Sequence, residues 1–363
     1  MANSDKKTPS PVHDLRSALA LLKTLPDEYV ETDTEVDPHA ELSGVYRYVG
    51  AGGTCQRPTR KNGPVMVFNK IKGFDDISVA IGLNGSRQRV SQFLQCEPAK
   101  LGHLLKDSVE NAISPTIVQG TAVCQEVVHL ASDADFDLRK LLPNVRVRED
   151  QNTHTGRAMP EFPGYTGEAK EAIPVIKVKA VTHRTQPIWR TTVGPGEEHV
   201  NMAGIPTEAS ILDMVERAMP GKLLNVFAHS AGGGKLLAVL QFKKSSPADE
   251  GRQRQAALLA FSAFPELKHV ILVDEDVDIF DSDDVLWAMQ TRYQGDVDTV
   301  MIPGVRCHPL DPSQVPEYSP SVLQQGMSCK TIFDCTVPFH LKHNFERSKF
   351  KAVDVKRFLP DFE

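Results

Sequence analysis

The chain has 363 residues, 40% of them hydrophobic and 24% charged, and a formal net charge of −6. That length carries two or three domains with sizeable cores, and the acidic balance removes any electrostatic case for nucleic acid or an anionic membrane surface. No apolar run approaches the roughly 20 residues of a membrane helix, and the polar opening Met1-Ala2-Asn3-Ser4-Asp5-Lys6-Lys7 has no signal-peptide core behind it.

The six cysteines are scattered without a Cys-x-x-Cys pair, which argues against a zinc knuckle or a disulfide framework and fits a reducing cytoplasm. Residues 1–12 read as a disordered lead. Leu15, Ala18, Leu19 and Leu22 fall on one face of a helix over 15–25. Residues 65–68 read as a strand, bounded by Asn62-Gly63-Pro64 and Gly73. Asn84-Gly85-Ser86-Arg87 is turn and cap chemistry ahead of a helix over 90–94. Residues 123–130 form a further apolar stretch, and 133–142 read as an acidic-capped helix or loop. A first α/β layer is expected to end near residue 112. The segment 146–156 is polar and turn-rich. Met159-Pro160-Glu161-Phe162-Pro163-Gly164-Tyr165 follows, stiffened by two prolines, which suits a side chain that must be aimed. Residues 176–181 alternate as a half-exposed strand.

Beyond that point helix and strand take turns: a helix over 207–218, strands over 223–227 and 236–242, a helix over 252–261, and strands over 270–273 and 299–302. This alternation predicts a largely parallel sheet. Val270-Ile271-Leu272-Val273 reads as a strand buried on both faces, and seven carboxylates follow within eleven residues, from Asp274 to Asp284. Strand carboxyl ends are where open α/β sheets place ligands. The cluster is therefore either a site, including a carboxylate-rich metal hydrolase, or an acidic loop with Ser282 or Asp283 capping the next helix. It lacks the glycine and glutamate positions of an EF-hand. Gly232-Gly233-Gly234-Lys235 lacks the spacing and the Ser/Thr of a phosphate loop and reads as a tight turn. Gly194-Pro195-Gly196-Glu197-Glu198-His199 presents two acids and an imidazole, either as a proton shuttle or substrate contact or as a surface turn. Lys330 stands at the mouth of a short strand, an anion contact or a solvated lysine.

Taken together and in order, four segments resemble the UbiD family of reversible non-oxidative decarboxylases. They are Met159-Pro160-Glu161-Phe162-Pro163-Gly164-Tyr165, Val193-Gly194-Pro195-Gly196-Glu197-Glu198-His199, Val273-Asp274-Glu275-Asp276-Val277-Asp278 and Lys330-Thr331-Ile332-Phe333-Asp334-Cys335-Thr336. The first is most similar to the branch acting on protocatechuate and related hydroxybenzoates. The resemblance implies an α/β protein in three parts. These are an amino-terminal α/β domain over 1–112, a remnant of a split β-barrel flavin-binding domain over 113–177, and a carboxy-terminal α/β domain with a largely parallel sheet over 178–363. It implies prenylated FMN as the electron sink, held with Mn2+ and K+. It also implies an aromatic carboxylic acid substrate, a flavin prenyltransferase as cofactor supplier, a homo-oligomer and a cytoplasmic location, with no nucleic acid or membrane partner. By resemblance Glu161 protonates the carbon that carbon dioxide leaves, His199 contacts the substrate's ring hydroxyls, and Lys330 pairs with the cofactor phosphate.

One departure stands out. Family members carry a domain-sized block between the equivalents of Leu142-Pro143 and Asn144-Val145. It supplies most of the flavin barrel, the metal ligands and the catalytic arginine. Here the two dipeptides are adjacent, no counterpart of the metal ligands is found, and Gly156 stands where the family has its other active-site glutamate. The rival expectation is therefore a non-catalytic remnant that keeps the carboxy-terminal domain as an assembly surface.

Overall fold

The computed structural model describes residues 12–53, 62–143, 145, 153–154, 156, 158–320 and 322–359. The expected lead lies outside the described residues except for Val12, and so does most of the polar stretch over 146–156.

The first layer begins with α1 (Leu15–Leu22). Asp14 caps it by accepting the Ser17 N–H, while its own N–H donates to Ser17 Oγ. Ala18, Leu19 and Leu22 are its buried face, as their spacing predicts. There follow β1 (Tyr29–Thr32), α2 (Glu41–Val49), β2 (Val65–Phe68), β3 (Ser78–Ile81), α3 (Arg87–Leu94) and α4 (Leu101–Glu110). Ser86 is the side-chain cap of α3, accepting the Arg89 N–H.

The chain then leaves the layer as a long arm. Its pieces are β4 (Val127–Leu130), α5 (Leu138–Leu141), β5 (Thr153–His154), β6 (Met159–Pro160), β7 (Thr166–Gly167), β8 (Ile173–Pro174) and β9 (Ala180–His183). The strands pair β4 with β9, β5 with β8 and β6 with β7, all antiparallel. The pairs nest, so Glu161–Tyr165 becomes the tip of one interrupted hairpin. Among the described residues no closed barrel is present, only these two-stranded ladders. The half-exposed strand expected over 176–181 starts later, at Ala180.

β10 (Ile188–Thr191) brings the chain back to the first layer, pairing parallel with β3 to give the order β1-β2-β3-β10. Next comes α6 (Glu197–Ala218), which begins well before the expected residue 207. Pro206 punctuates the sequence there but is held inside the helix, whose buried face continues through Ile205, Ile211, Leu212 and Val215. The acids read as part of a surface turn, Glu197 and Glu198, are instead its buried first turn.

The last layer comprises β11 (Leu223–Ala228), β12 (Leu237–Phe242), α7 (Arg252–Ala263), β13 (His269–Val273), α8 (Ser282–Arg292), β14 (Thr299–Arg306) and β15 (Met327–Cys335). The strand order is β11-β12-β13-β15-β14. The centre is parallel, and β11 and β14 join it antiparallel at the two edges. Leu240, Val270 and Leu272 pack with the α6 and α7 residues Ile211 and Ala256, whereas Val239, Ile271 and Val273 pack with the α8 residues Val285 and Ala288. Burial on both faces is what the unbroken apolar run of β13 requires.

Candidate functional site

The first turn of α6 is where the two layers and the arm meet. Gly196 precedes the helix, so its first residues emerge side by side from a short loop. Glu198 turns to the first layer, accepting the Gly82 N–H at 3.0 Å and the Asn84 N–H at 3.1 Å, with Arg190 3.6 Å away. Burial pushes the Glu198 carboxyl up, while these amides and Arg190 pull it down. Glu197 turns to the last layer and accepts from Ser230 Oγ at 3.2 Å. One turn on, Asn201 donates to the Asn84 carbonyl at 2.8 Å. Further along, Glu208 receives a two-pronged contact from Arg87 at 2.8 and 2.7 Å and also takes the Ala228 N–H.

His199 is left facing a cavity of about 780 Å³, a size typical of ligand sites. Its walls come from α2 (His39, Ser43, Arg47), the arm tip (Met159, Glu161, Tyr165) and the loop ahead of α6 (Val193, Gly194, Pro195). Arg47 is buried and donates to the Pro195 carbonyl, which ties α2 to that loop. Burial lowers the His199 imidazole below its ordinary range, and the Lys235 charge lowers it further while Glu161 opposes both. The imidazole is therefore neutral at pH 7, with one nitrogen to donate and one to accept. Glu161 is held by its backbone: its N–H donates to the Tyr165 carbonyl and its carbonyl accepts the Gly164 N–H, both at 2.9 Å.

The structure thus brings Glu161 and His199 to one cavity and leaves Lys330 out of its walls. Lys330 lies on β15, buried, donating to the Pro265 carbonyl at 2.8 Å and to that of Leu267, with its ammonium over the Phe261 ring. Its charge is met by these main-chain oxygens, and it lines a separate cavity with Phe261, Pro265 and Arg306. Burial lowers its ammonium to about 8.

Two other motifs resolve as structure. In Gly232-Gly233-Gly234-Lys235 all four backbone N–H groups are spent on the turn itself: Gly232 and Gly234 donate to the His229 carbonyl, Gly233 to that of Ser230 and Lys235 to that of Gly232. The tight-turn reading holds, and no cradle of spare amides is left. Most of the acids after β13 are ion-paired or capping. Asp276 meets Arg292 and Arg347, Asp284 meets Arg347, Glu275 meets Lys342, and Asp281, one residue before the expected caps, accepts the Asp283 N–H at the start of α8. Among the described residues no group of three His, Cys, Asp or Glu side chains could hold a metal ion, so those residues do not fit a divalent cation. The same finding replaces the metal-hydrolase reading.

Sequence reasoning missed Arg47, Phe162 and the layer-bridging roles of Glu197 and Glu198. The signal for the last two was present: Pro195-Gly196-Glu197-Glu198 is an N-terminal cap followed by first-turn acids. Arg47 and Phe162 carry no local signal.

Comparison with known proteins gives a consistent picture. The 3-octaprenyl-4-hydroxybenzoate carboxy-lyase C-terminal domain matches residues 200–335, its N-terminal domain 22–108, and its Rift-related domain 140–197. Gallate decarboxylase of Lactiplantibacillus plantarum is 41% identical over an alignment of 484 positions, covering 95% of this chain and 99% of that protein. Since the chain has only 363 residues, a long internal stretch of that relative has no counterpart here. The apo structure of Klebsiella pneumoniae 3,4-dihydroxybenzoic acid decarboxylase is 41% identical with a TM-score of 0.88, covering 97% of this chain and all of that one. An evolved dimeric UbiD-class enzyme from Pelotomaculum thermopropionicum, in complex with prenylated FMN, shares the fold at 20% identity and a TM-score of 0.73, covering 97% of this chain and 99% of that one.

Proposed function

The chain belongs to the UbiD family of carboxy-lyases, and from that premise we propose that it removes carbon dioxide from a hydroxybenzoic acid of the protocatechuate or gallate type in the cavity beside His199. The observation that carries this reading is the meeting of Glu161 and His199 at one cavity, in a chain 41% identical to two hydroxybenzoate decarboxylases. UbiD-class enzymes use prenylated FMN, which when bound supplies the electron sink for the charge left as carbon dioxide departs. The cavity volume suits a planar ring system. The family's Mn2+ and K+ belong to the same expectation; among the described residues no group of His, Cys, Asp and Glu side chains forms a donor set for the divalent ion.

This chain's own residues perform the rest. Glu161, on the stiff tip, delivers the proton to the ring carbon. The neutral His199 accepts a hydrogen bond from a ring hydroxyl and orients the ring. Tyr165, Met159 and Val193 provide the walls against which an aromatic face can lie. A flavin prenyltransferase supplies the cofactor, and a homo-oligomer is the expected assembly.

The test is native mass spectrometry of the chain co-expressed with a flavin prenyltransferase, followed by carbon dioxide release from 3,4-dihydroxybenzoate and gallate. Glu161→Gln is expected to lower kcat by at least about 10²-fold, the usual loss for a positioned acid. His199→Asn is expected to act mainly on KM. Loaded protein whose turnover ignores both substitutions overturns the assignment. The missing donor set favours a second reading, in which the chain keeps the fold and not the cofactor; protein that emerges empty would establish it.

A further inference from the structure

The arm has almost no core of its own, yet it must hold a carboxylate in place. Apart from prolines, Phe162 is the one buried apolar side chain between Leu101 and Val193 among the described residues, at 2% exposure. Its ring leaves the arm altogether. It makes a T-shaped pair with His308 with centroids 4.6 Å apart, lies beneath Lys235 Nζ at 5.0 Å, and makes a second T-shaped pair with His199 at 6.2 Å.

The turn after β11 is shaped to receive it. Gly233 has φ +63°, and a Cβ there would collide with Phe162 Cδ2. Gly234 has φ +72° and lets the same turn lie against α6 at Gly204. The receiving side is braced from behind: His229 bonds Ser282 at 2.9 Å, and Lys235 Nζ lies 3.3 Å from His308 Nε2, with Glu266 3.4 Å from that nitrogen. A glycine needed for close approach of a specific partner is a docking feature, beyond what a hairpin turn requires.

We propose that Phe162 and the Gly232–Lys235 turn form a latch, and that Phe162 is a positioning residue for the reaction assigned above to Glu161. The two residues are neighbours in one turn whose backbone is closed by the Glu161–Tyr165 and Gly164–Glu161 hydrogen bonds. Seating the ring therefore fixes the carboxylate against the last layer. Because the same ring touches His199, it also sets the spacing of acid and imidazole across the cavity. The reading rests on Glu161 as the proton donor, but the latch itself is measurable without cofactor.

The experiment uses the full chain and three variants, Phe162→Ala, Phe162→Leu and Gly233→Ala, with hydrogen exchange over 159–167 and 229–236 and imidazole NMR of His199 and His308. Phe162→Ala and Gly233→Ala are expected to speed exchange in 159–167 by about tenfold or more and to shift both imidazoles as the ring's field is lost. Phe162→Leu is expected to restore most of the protection and none of the ring shift. Unchanged exchange at the tip in Phe162→Ala overturns the latch, as does equal loosening by Ile176→Ala at the exposed middle of the arm. In loaded protein, Phe162→Ala is expected to lower kcat more than it raises KM. A response in exchange with a fully active Glu161→Gln variant upholds the latch and sinks only the assignment of the acid.

Discussion

Individual side chains here owe their chemistry to burial more than to their neighbours in sequence. From sequence His199 is either a proton shuttle or substrate contact or part of a surface turn; in the structure burial, and then the Lys235 charge, lower its imidazole below the ordinary range and leave it neutral at pH 7. His269 is a stronger case: burial, then the Lys268 charge, lowers it to about 4, and its Nδ1 has no hydrogen-bond partner. Between about pH 6.5, the ordinary histidine value, and pH 4 the unfolded chain takes up a proton there that the folded chain refuses. Stability from this residue therefore falls as pH drops through that window and levels off below it. His269→Leu is expected to flatten the acid limb of urea midpoints plotted against pH; an unchanged slope between pH 6 and 4 would contradict the shift. Lys330 makes the complementary point. The sequence places it at the mouth of a short strand, whereas it sits inside the nine-residue β15, and the direction of its ammonium, toward the Pro265 and Leu267 carbonyls, is set by residues more than sixty positions away.

Among the elements, α6 does the joining. Its first turn divides two carboxylates and an imidazole among two layers and a cavity, and its middle anchors Arg87 through Glu208. Glu208 is 1% exposed. Burial pushes its carboxyl up and Arg87 pulls it down, which keeps a charge tolerable where water cannot reach. Arg87→Met strands that carboxylate and is expected to cost about 3 kcal/mol or more in urea unfolding. The double variant Arg87→Met with Glu208→Leu is expected to recover most of the loss, since two apolar groups need no pairing. Equal stability of single and double variants would show that the pair contributes nothing specific. The helix start was legible from Gly196-Glu197-Glu198 and was masked by Pro206, a residue that usually marks an end.

Across the whole molecule, the arm is the unusual part. Where the resemblance implies a flavin barrel, the chain has nested two-stranded ladders with Ile113, Ile117 and Ile176 exposed at 95%, 83% and 85%. Open strand edges and bare apolar faces invite pairing with other chains. Concentration-dependent association is expected in light scattering, with fast amide exchange over 113–123 and 168–179 and the latched tip as the exception. Strong protection across the whole stretch would mean that the arm is packed in a way its surface does not suggest. No helix among the described residues is long and apolar enough to cross a membrane.

Local pattern alone determined a good deal of this protein. The Ser86 cap of α3, the doubly buried strand β13, the tight glycine turn and the order of motifs that mark the family are all written in short stretches, because capping, turn chemistry and strand burial depend on residues a few positions apart. The pairing of Glu161 with His199 was legible only through the family's motif order. Tertiary structure alone decided that Lys330 faces inward, that the acids after β13 meet Arg292, Lys342 and Arg347, and that Phe162 crosses from the arm to Gly233. Those outcomes depend on contacts between segments far apart in the chain, where what a charge or a ring meets is set by packing and by the water it excludes.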